Sequence, residues 1–207
     1  PMTHARRAVL VGDHKQLPPT ILHREAAESG LQHTLFERLA KHHETDPDAP
    51  NALRSLLRTQ YRMHETIMGF PNRAFYNGRL EADDTVRHHT LTDLGVTQQA
   101  LPADVRGDIL TPAAPLVFVD TSGLEAPEHQ RAGSSSHENP REAEIVVRLA
   151  TDLLEAGMAP EQMAVVSPYD DQVDRMDRAL ALDALEVDTV DGFQGREKEV
   201  VLVSLVR

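Results

Sequence analysis

Met163-Ala164-Val165-Val166 runs without a polar residue into Ser167-Pro168-Tyr169, and Asp170 to Leu180 follows with apolar residues at helical spacing. An unbroken apolar run of this length, bounded by turn residues, is how a strand buried on both faces reads. In the next stretch Val173, Met176 and Leu180 fall on one side, which predicts a helix over 170–180. Upstream, Asn139-Pro140-Arg141-Glu142 is a strong helix start. Asn is an N-cap, Pro fits the first helical position and Glu fits N3. Ile145, Leu149 and Leu153 line one face of that helix, and Gly157 closes it. Glu186–Val190 and Val200–Val206 read as further strands. Strands of this kind, alternating with helices, imply an α/β fold in three layers, a parallel sheet with helices on both faces. Ligands of such sheets bind beyond the carboxyl ends of the strands. Chemistry is therefore sought from Gly12, Asp120, Ser167 and Thr189 onward.

Further out the pattern weakens. Ala8-Val9-Leu10-Val11 reads as a buried strand stopped by Gly12-Asp13, and Thr34 to His42 as a helix. Glu44 to Asn51 is polar, contains Pro47 and Pro50, and reads as a linker and domain boundary. A helix from Thr66 is expected to stop near Phe70, because Pro71 follows. Glu81 to Pro115 is polar, with Pro102, Pro112 and Pro115, and reads as a long surface insertion. Leu116-Val117-Phe118-Val119 reads as a strand and Gly133 to His137 as a Ser-rich loop. The opening Pro1-Met2-Thr3-His4 is unlike a natural N-terminus, so a fragment is expected.

Composition narrows the class. The 207 residues are 40% hydrophobic and 26% charged, which suits one globular domain with part of a second. No run of about 18 apolar residues offers a membrane span, and no signal peptide is visible. Cysteine is absent, which removes disulfides and cysteine metal sites and fits an intracellular, reducing setting. The pairs His42-His43 and His88-His89 lack metal-ligand spacing, so no metal site is expected on these residues. A net charge of −12 argues against nucleic-acid binding by the whole surface. A local groove that aligns a few contacts on a strand is still compatible with it.

Four segments carry chemistry. They are Gly12-Asp13-His14-Lys15-Gln16-Leu17-Pro18-Pro19; Gln60-Tyr61-Arg62-Met63-His64, followed by Phe70-Pro71 and Phe75-Tyr76-Asn77-Gly78; Ser167-Pro168-Tyr169-Asp170-Asp171-Gln172; and Thr189-Val190-Asp191-Gly192-Phe193-Gln194-Gly195-Arg196-Glu197-Lys198. In this order they resemble the superfamily 1 helicases of the nonsense-mediated-decay (Upf) type, a family with DNA-processing members as well. The resemblance runs from about Val9 to Arg207, apart from residues 81–115. It implies a RecA-like, P-loop NTPase-like lobe.

By that resemblance, Gln16 is the γ-phosphate contact and Asp13 stabilises its loop or a water near the metal. Arg62 is an arginine finger, for which a planar, permanently charged fork suits a developing phosphoryl charge. Tyr61 stacks on the adenine, Gln60 supports it, and Glu197 accepts from the ribose hydroxyls. Gly195, with Gly192, lets backbone approach the ligand. Thr189, Val190 and Ser167 touch the nucleic-acid backbone. Arg196 and Lys198 either add charge for phosphate or are solvated. Outside the family order, Asp13 reads as a loop cap, Arg62 as a surface residue and Tyr61 as a half-buried strand residue. Asn139 reads first as a helix cap, with a role in strand binding as the alternative.

A helicase of this type also needs a Gly-x-x-x-x-Gly-Lys-Ser/Thr loop and an Asp-Glu pair for Mg²⁺. Neither a Gly-Lys nor an Asp-Glu dipeptide occurs here. The expectation is therefore a piece of a motor. Residues 1–45 would be the tail of a first RecA-like lobe and 52–207 most of a second, with ATP and Mg²⁺ held mainly by the missing part of the first lobe. The chain alone is expected to be inactive. With its first lobe it would couple ATP hydrolysis to movement along single-stranded DNA or RNA, 5′-to-3′. The competing reading is a non-catalytic scaffold that binds nucleic acid or protein through a degenerate lobe.

Overall fold

The computed structural model describes residues 6–18, 20–42, 53–105 and 109–206. The expected linker at 44–51 lies outside them. The chain divides into two units, one of Pro1–Arg58 with Asn72–Leu80, the other of Thr59–Pro71 with Glu81–Arg207.

In the first unit a short helix α1 (Arg24–Ala26) precedes a wide helical turn over Ala27–Leu31, which breaks at Gly30 with φ 95°. Helix α2 (Leu35–His42) forms as the sequence predicts. Thr34 Oγ1 accepts the Glu37 amide at 3.0 Å, satisfying one of the orphan donors of its first turn. Val9 and Val11 are 91% and 86% exposed and form no strand. The expected strand at 8–11 thus has no ladder partner among the described residues, and an apolar run without one stays irregular.

The second unit opens with strand β1 (Thr59–Gln60), which pairs in parallel with β2 (Glu81–Ala82). Between them in sequence, helix α3 spans Glu65–Phe75 with Pro71 inside it, its residues from Asn72 on being grouped with the first unit. The expected stop at Phe70 is therefore wrong. A proline forfeits a single i→i−4 bond, and the turns on either side carry the helix across it.

The sheet that positions the chemistry has three parallel strands in the order β4-β3-β5, where β3 is Met163–Ser167, β4 Glu186–Thr189 and β5 Val200–Val203. Every residue of β3 is buried, as its unbroken apolar run requires of a central strand. Helix α4 (Pro140–Glu155) begins at Asn139, whose side chain accepts from the Glu142 amide, and helix α5 spans Asp170–Leu180. Met163, Val165, Val187, Val200 and Leu202 join the core with Leu149, Leu153 and Met176 from the two helices. The architecture is the mixed α/β, parallel-sheet fold expected of a RecA-like lobe. The opposite sheet face is less fully covered by the described residues than two helical layers would leave it, with Val201 and Val203 42% and 53% exposed.

Two expectations need correction. Residues 81–115 are no surface insertion, because Ala82, Val96, Leu101, Val105 and Leu110 are buried. All of these but Ala82 belong to the main core. Scattered apolar residues without periodicity plug a core as well as regular ones do. Leu116–Val119 forms no strand, and Leu116 and Phe118 are 63% and 79% exposed; only Val119 packs on the core.

Candidate functional site

In the second unit, the turn after β1 is built by one amide. Gln60 Oε1 accepts the backbone N–H groups of Arg62 and Met63, both at 2.8 Å, and its Nε2 donates to the Met63 carbonyl at 2.7 Å. This clasp ties the backbone of the turn on either side of Tyr61 and Arg62. Tyr61 is 68% exposed. Arg62 Nε donates to Glu197 Oε2 at 2.8 Å, a contact spanning 135 positions of the sequence. Two residues singled out in separate segments therefore meet in one place. A third function of the turn falls to His64, whose Nδ1 accepts the Thr66 amide at 3.0 Å and caps the start of α3.

Glu197 stands on the loop that leaves β4. Thr189 Oγ1 accepts the Gly192 amide at 3.0 Å, the Thr189 carbonyl accepts from Phe193 N at 2.9 Å, and Val190 N donates to the Ser167 carbonyl at 3.2 Å. A Cβ on Gly192 would meet the Asp188 carboxylate, so a larger residue there requires that side chain to shift. Gly195 suits its conformation, with φ 85° in the left-handed region that favours glycine. For Arg196 and Lys198 the sequence allows either phosphate contacts or solvated charges. Both are in fact engaged by protein: Arg196 Nη1 bonds Glu186 Oε1, and Lys198 Nζ lies 3.4 Å from Glu186 Oε2 and donates to the Glu161 carbonyl at 2.8 Å. Burial would raise the Glu186 carboxyl, but these two cations outweigh it and hold it below the usual range.

Ser167 does not face outward. It has no exposed surface, and its Oγ accepts the Tyr169 amide at 3.3 Å. A direct phosphate contact from its hydroxyl does not fit that burial, and shaping the β3–α5 turn does. Thr189 is half-buried and Val190 38% exposed, with Thr189 Oγ1 already committed to Gly192.

The sequence reading missed a buried polar network behind these loops. Gln172, fully buried, accepts the Asn139 amide at 2.9 Å and donates to Ser204 Oγ at 2.8 Å. Asn139 Nδ2 donates to the carbonyls of Ala126 and Val206, so this residue is both the helix cap expected and a tie between three loops. Beside it Glu138, 2% exposed, accepts from Arg175 Nε and Nη2, both at 2.9 Å, and from Arg131 Nε at 2.8 Å. The Arg175 fork, and then Arg131, hold its carboxyl at about 2, against the opposing effect of burial. Only the polar character of Gln172 within a helix signalled any of this.

In the first unit Asp13 closes the loop that follows Gly12. Its carboxylate accepts from Lys15 N and Gln16 Nε2, each at 3.0 Å, and from the Tyr76 hydroxyl at 2.5 Å. Burial pushes the Asp13 carboxyl up, but the Tyr76, Lys15 and Gln16 donors outweigh it and the net direction is down. Burial, and then the Asp13 carboxylate, push the Tyr76 hydroxyl up. These contacts brace the loop around Asp13. Gln16 is exposed, with its amide turned onto Asp13.

Among the described residues no group of three His, Asp or Glu side chains is arranged to hold a metal ion, and no helix is long and apolar enough to cross a membrane. A family model described as an AAA domain, AAA_12, matches residues 31–207, and a second AAA domain model, AAA_11, matches residues 1–24. The chain belongs to the AAA-domain family of superfamily 1 helicases. It is 39% identical over 210 residues to the DNA-binding protein SMUBP-2 of Rattus norvegicus, covering 100% of this chain and 20% of that protein. It is 40% identical over 210 residues to the uncharacterized ATP-dependent helicase MJ0104 of Methanocaldococcus jannaschii, covering 100% of this chain and 29% of that protein. It is 34% identical over 219 residues to the DNA replication ATP-dependent helicase/nuclease DNA2 of Homo sapiens, covering 100% of this chain and 20% of that protein. The chain thus spans between a fifth and a third of the length of these relatives.

Proposed function

We propose that this chain is the nucleotide-facing part of a superfamily 1 motor of the nonsense-mediated-decay type, in which residues 52–207 are the second RecA-like lobe and residues 1–45 the tail of the first. ATP hydrolysis, with Mg²⁺ and the triphosphate gripped by a phosphate-binding lobe of the same polypeptide, drives movement along a single strand in the 5′-to-3′ direction. The names of the relatives favour DNA as the strand. Tyr61 stacks on the base, Glu197 accepts from the ribose, and Arg62 reaches the γ-phosphate. Gln16, on its Asp13-braced loop, senses the terminal phosphate. Thr189 and Val190 present backbone and side chain to the strand.

The observation that carries this reading is the meeting of Arg62 and Glu197 beside an outward Tyr61. The pair is 54% and 67% exposed, and an ion pair in that setting contributes at most about 1 kcal/mol. It is weak enough to be exchanged for a triphosphate, which offers Arg62 several charge-assisted bonds at once. An aromatic ring left open to solvent next to it fits the base of a nucleotide. Once hydrolysis has occurred, loss of the γ-phosphate returns Arg62 to Glu197, and that change of partner is what moves the lobe.

The test is Arg62→Ala in a polypeptide that carries this chain with its phosphate-binding lobe. Nucleotide binding persists, while strand-stimulated hydrolysis falls on the order of 10³-fold or more, the range known for arginine fingers. Hydrolysis at the parent rate refutes the finger, and the absence of strand-stimulated hydrolysis in the parent would favour the non-catalytic scaffold.

A further inference from the structure

We propose that Glu186 is a positioning residue for the nucleotide site, acting by pinning the two cations on either side of Glu197. The inference rests on the reading of Glu197 as the ribose contact. It concerns a residue of β4 that belongs to none of the sequence segments singled out for chemistry.

The geometry is specific. Glu186 sends one carboxylate oxygen to Arg196 Nη1 and the other toward Lys198 Nζ at 3.4 Å. Arg196 has a weaker second partner in Asp188 at 3.5 Å, and Lys198 a second one in the Glu161 carbonyl at 2.8 Å. Residues 196–198 form neither helix nor turn. Arg196 and Lys198 both reach back to Glu186 of β4, while Glu197 between them meets Arg62 at 2.8 Å instead. Among the described residues no other hydrogen bond or ion pair to the Glu197 carboxylate is found; its side chain is 67% exposed, and Gly195 immediately before the braced stretch is in the left-handed region. A carboxylate that is half-buried and bonded to two cations is a firmer anchor than the exposed pair it serves. Register adds a second constraint. Glu186 pairs with Ala164 of the central, fully buried strand β3, so the anchor is tied to the most rigid part of the sheet.

The experiment uses the polypeptide that carries this chain with its phosphate-binding lobe, and compares ATP with 2′,3′-dideoxy-ATP, which lacks the hydroxyls Glu197 would accept from. Glu197→Gln serves as the reference. It raises KM for ATP about tenfold, the loss of one charge-assisted bond, and narrows the preference for ATP over the dideoxy nucleotide. Glu186→Gln is expected to move the same two quantities about three- to tenfold while kcat changes less than about twofold, the signature of lost ground-state binding. Glu186→Asp retains the charge and restores part of the preference. The double variant Arg196→Gln with Lys198→Gln, which removes the brace from the other side, shifts KM in the same direction. Adding Glu197→Gln to Glu186→Gln costs little more, because the two act through one contact. A merely structural Glu186 would lower the melting temperature and leave the ribose preference intact, and that result overturns the proposal. If Glu197→Gln itself leaves the preference unchanged, the ribose reading of Glu197 fails and this inference falls with it. If Glu197→Gln changes the preference and Glu186→Gln does not, only the positioning role fails.

Discussion

Replacing Glu138 with Gln tests the buried ion cluster that supports the loops at the carboxyl end of the sheet. Glu138 is 2% exposed and takes a two-pronged bond from Arg175 and a further one from Arg131. Its carboxyl is held at about 2 against an ordinary 4.5. That gap converts to roughly 3 kcal/mol of stability at neutral pH. The arginine side chains are 29% and 37% exposed, and water at those ends screens the pair, which brings the value toward about 2 kcal/mol. The sign follows from the lowered value. The contribution is fully present above the unfolded carboxyl's ordinary range and is lost as pH falls from there toward about 2. Glu138→Gln removes the charge and leaves Arg131 and Arg175 short of a partner, so it destabilises by about 3 kcal/mol near neutrality. Urea unfolding of both proteins, followed by circular dichroism from about pH 7 down to about pH 3, gives the two stabilities. Every other carboxylate is common to the pair and cancels in the difference. The gap should be widest at neutral pH and shrink by about 2 kcal/mol on acidification. A gap that stays constant over the whole range refutes the assignment of the ion cluster as the source.

Two further outcomes follow from packing and backbone. Leu153→Ala opens a void in the core, where this side chain is 1% exposed, and should cost about 2 to 5 kcal/mol in chemical denaturation with the far-ultraviolet spectrum unchanged. Gly195→Ala must hold φ 85° with a Cβ, which costs about 1 to 2 kcal/mol; because the strain lies next to Glu197, nucleotide affinity should fall more than global stability does.

The sheet was legible because its signals are local and strong. The apolar run at 163–166, the Asn139-Pro140 cap and the spacing of Val173, Met176 and Leu180 each report a buried strand or helix on their own residues, and the helices at 140–155 and 170–180 lie where those signals put them. The failures share a cause. Whether Val9, Val11, Leu116 and Phe118 are buried in a ladder depends on a distant partner that no local pattern announces. Pro71 was given the power to end a helix that neighbouring turns carry through. Residues 81–115 look polar on average, yet a few isolated apolar side chains among them are core. At the site, the motifs singled out Arg62 and Glu197 separately, and their contact became visible only in three dimensions. Glu138, Gln172 and Glu186 act through partners between 7 and 37 positions away. Charged or amide residues with such spacings are indistinguishable in sequence from a solvated surface.

The central claim is that Tyr61, Arg62 and Glu197 face one nucleotide. A structure of the polypeptide carrying this chain and its phosphate-binding lobe, bound to a non-hydrolysable ATP analogue, tests it most directly. The expected complex has the Tyr61 ring against the base, Glu197 on the ribose hydroxyls, and the Arg62 guanidinium released from Glu197 and turned to the terminal phosphate. A bound analogue with Arg62 still joined to Glu197 and Tyr61 still in solvent would contradict it.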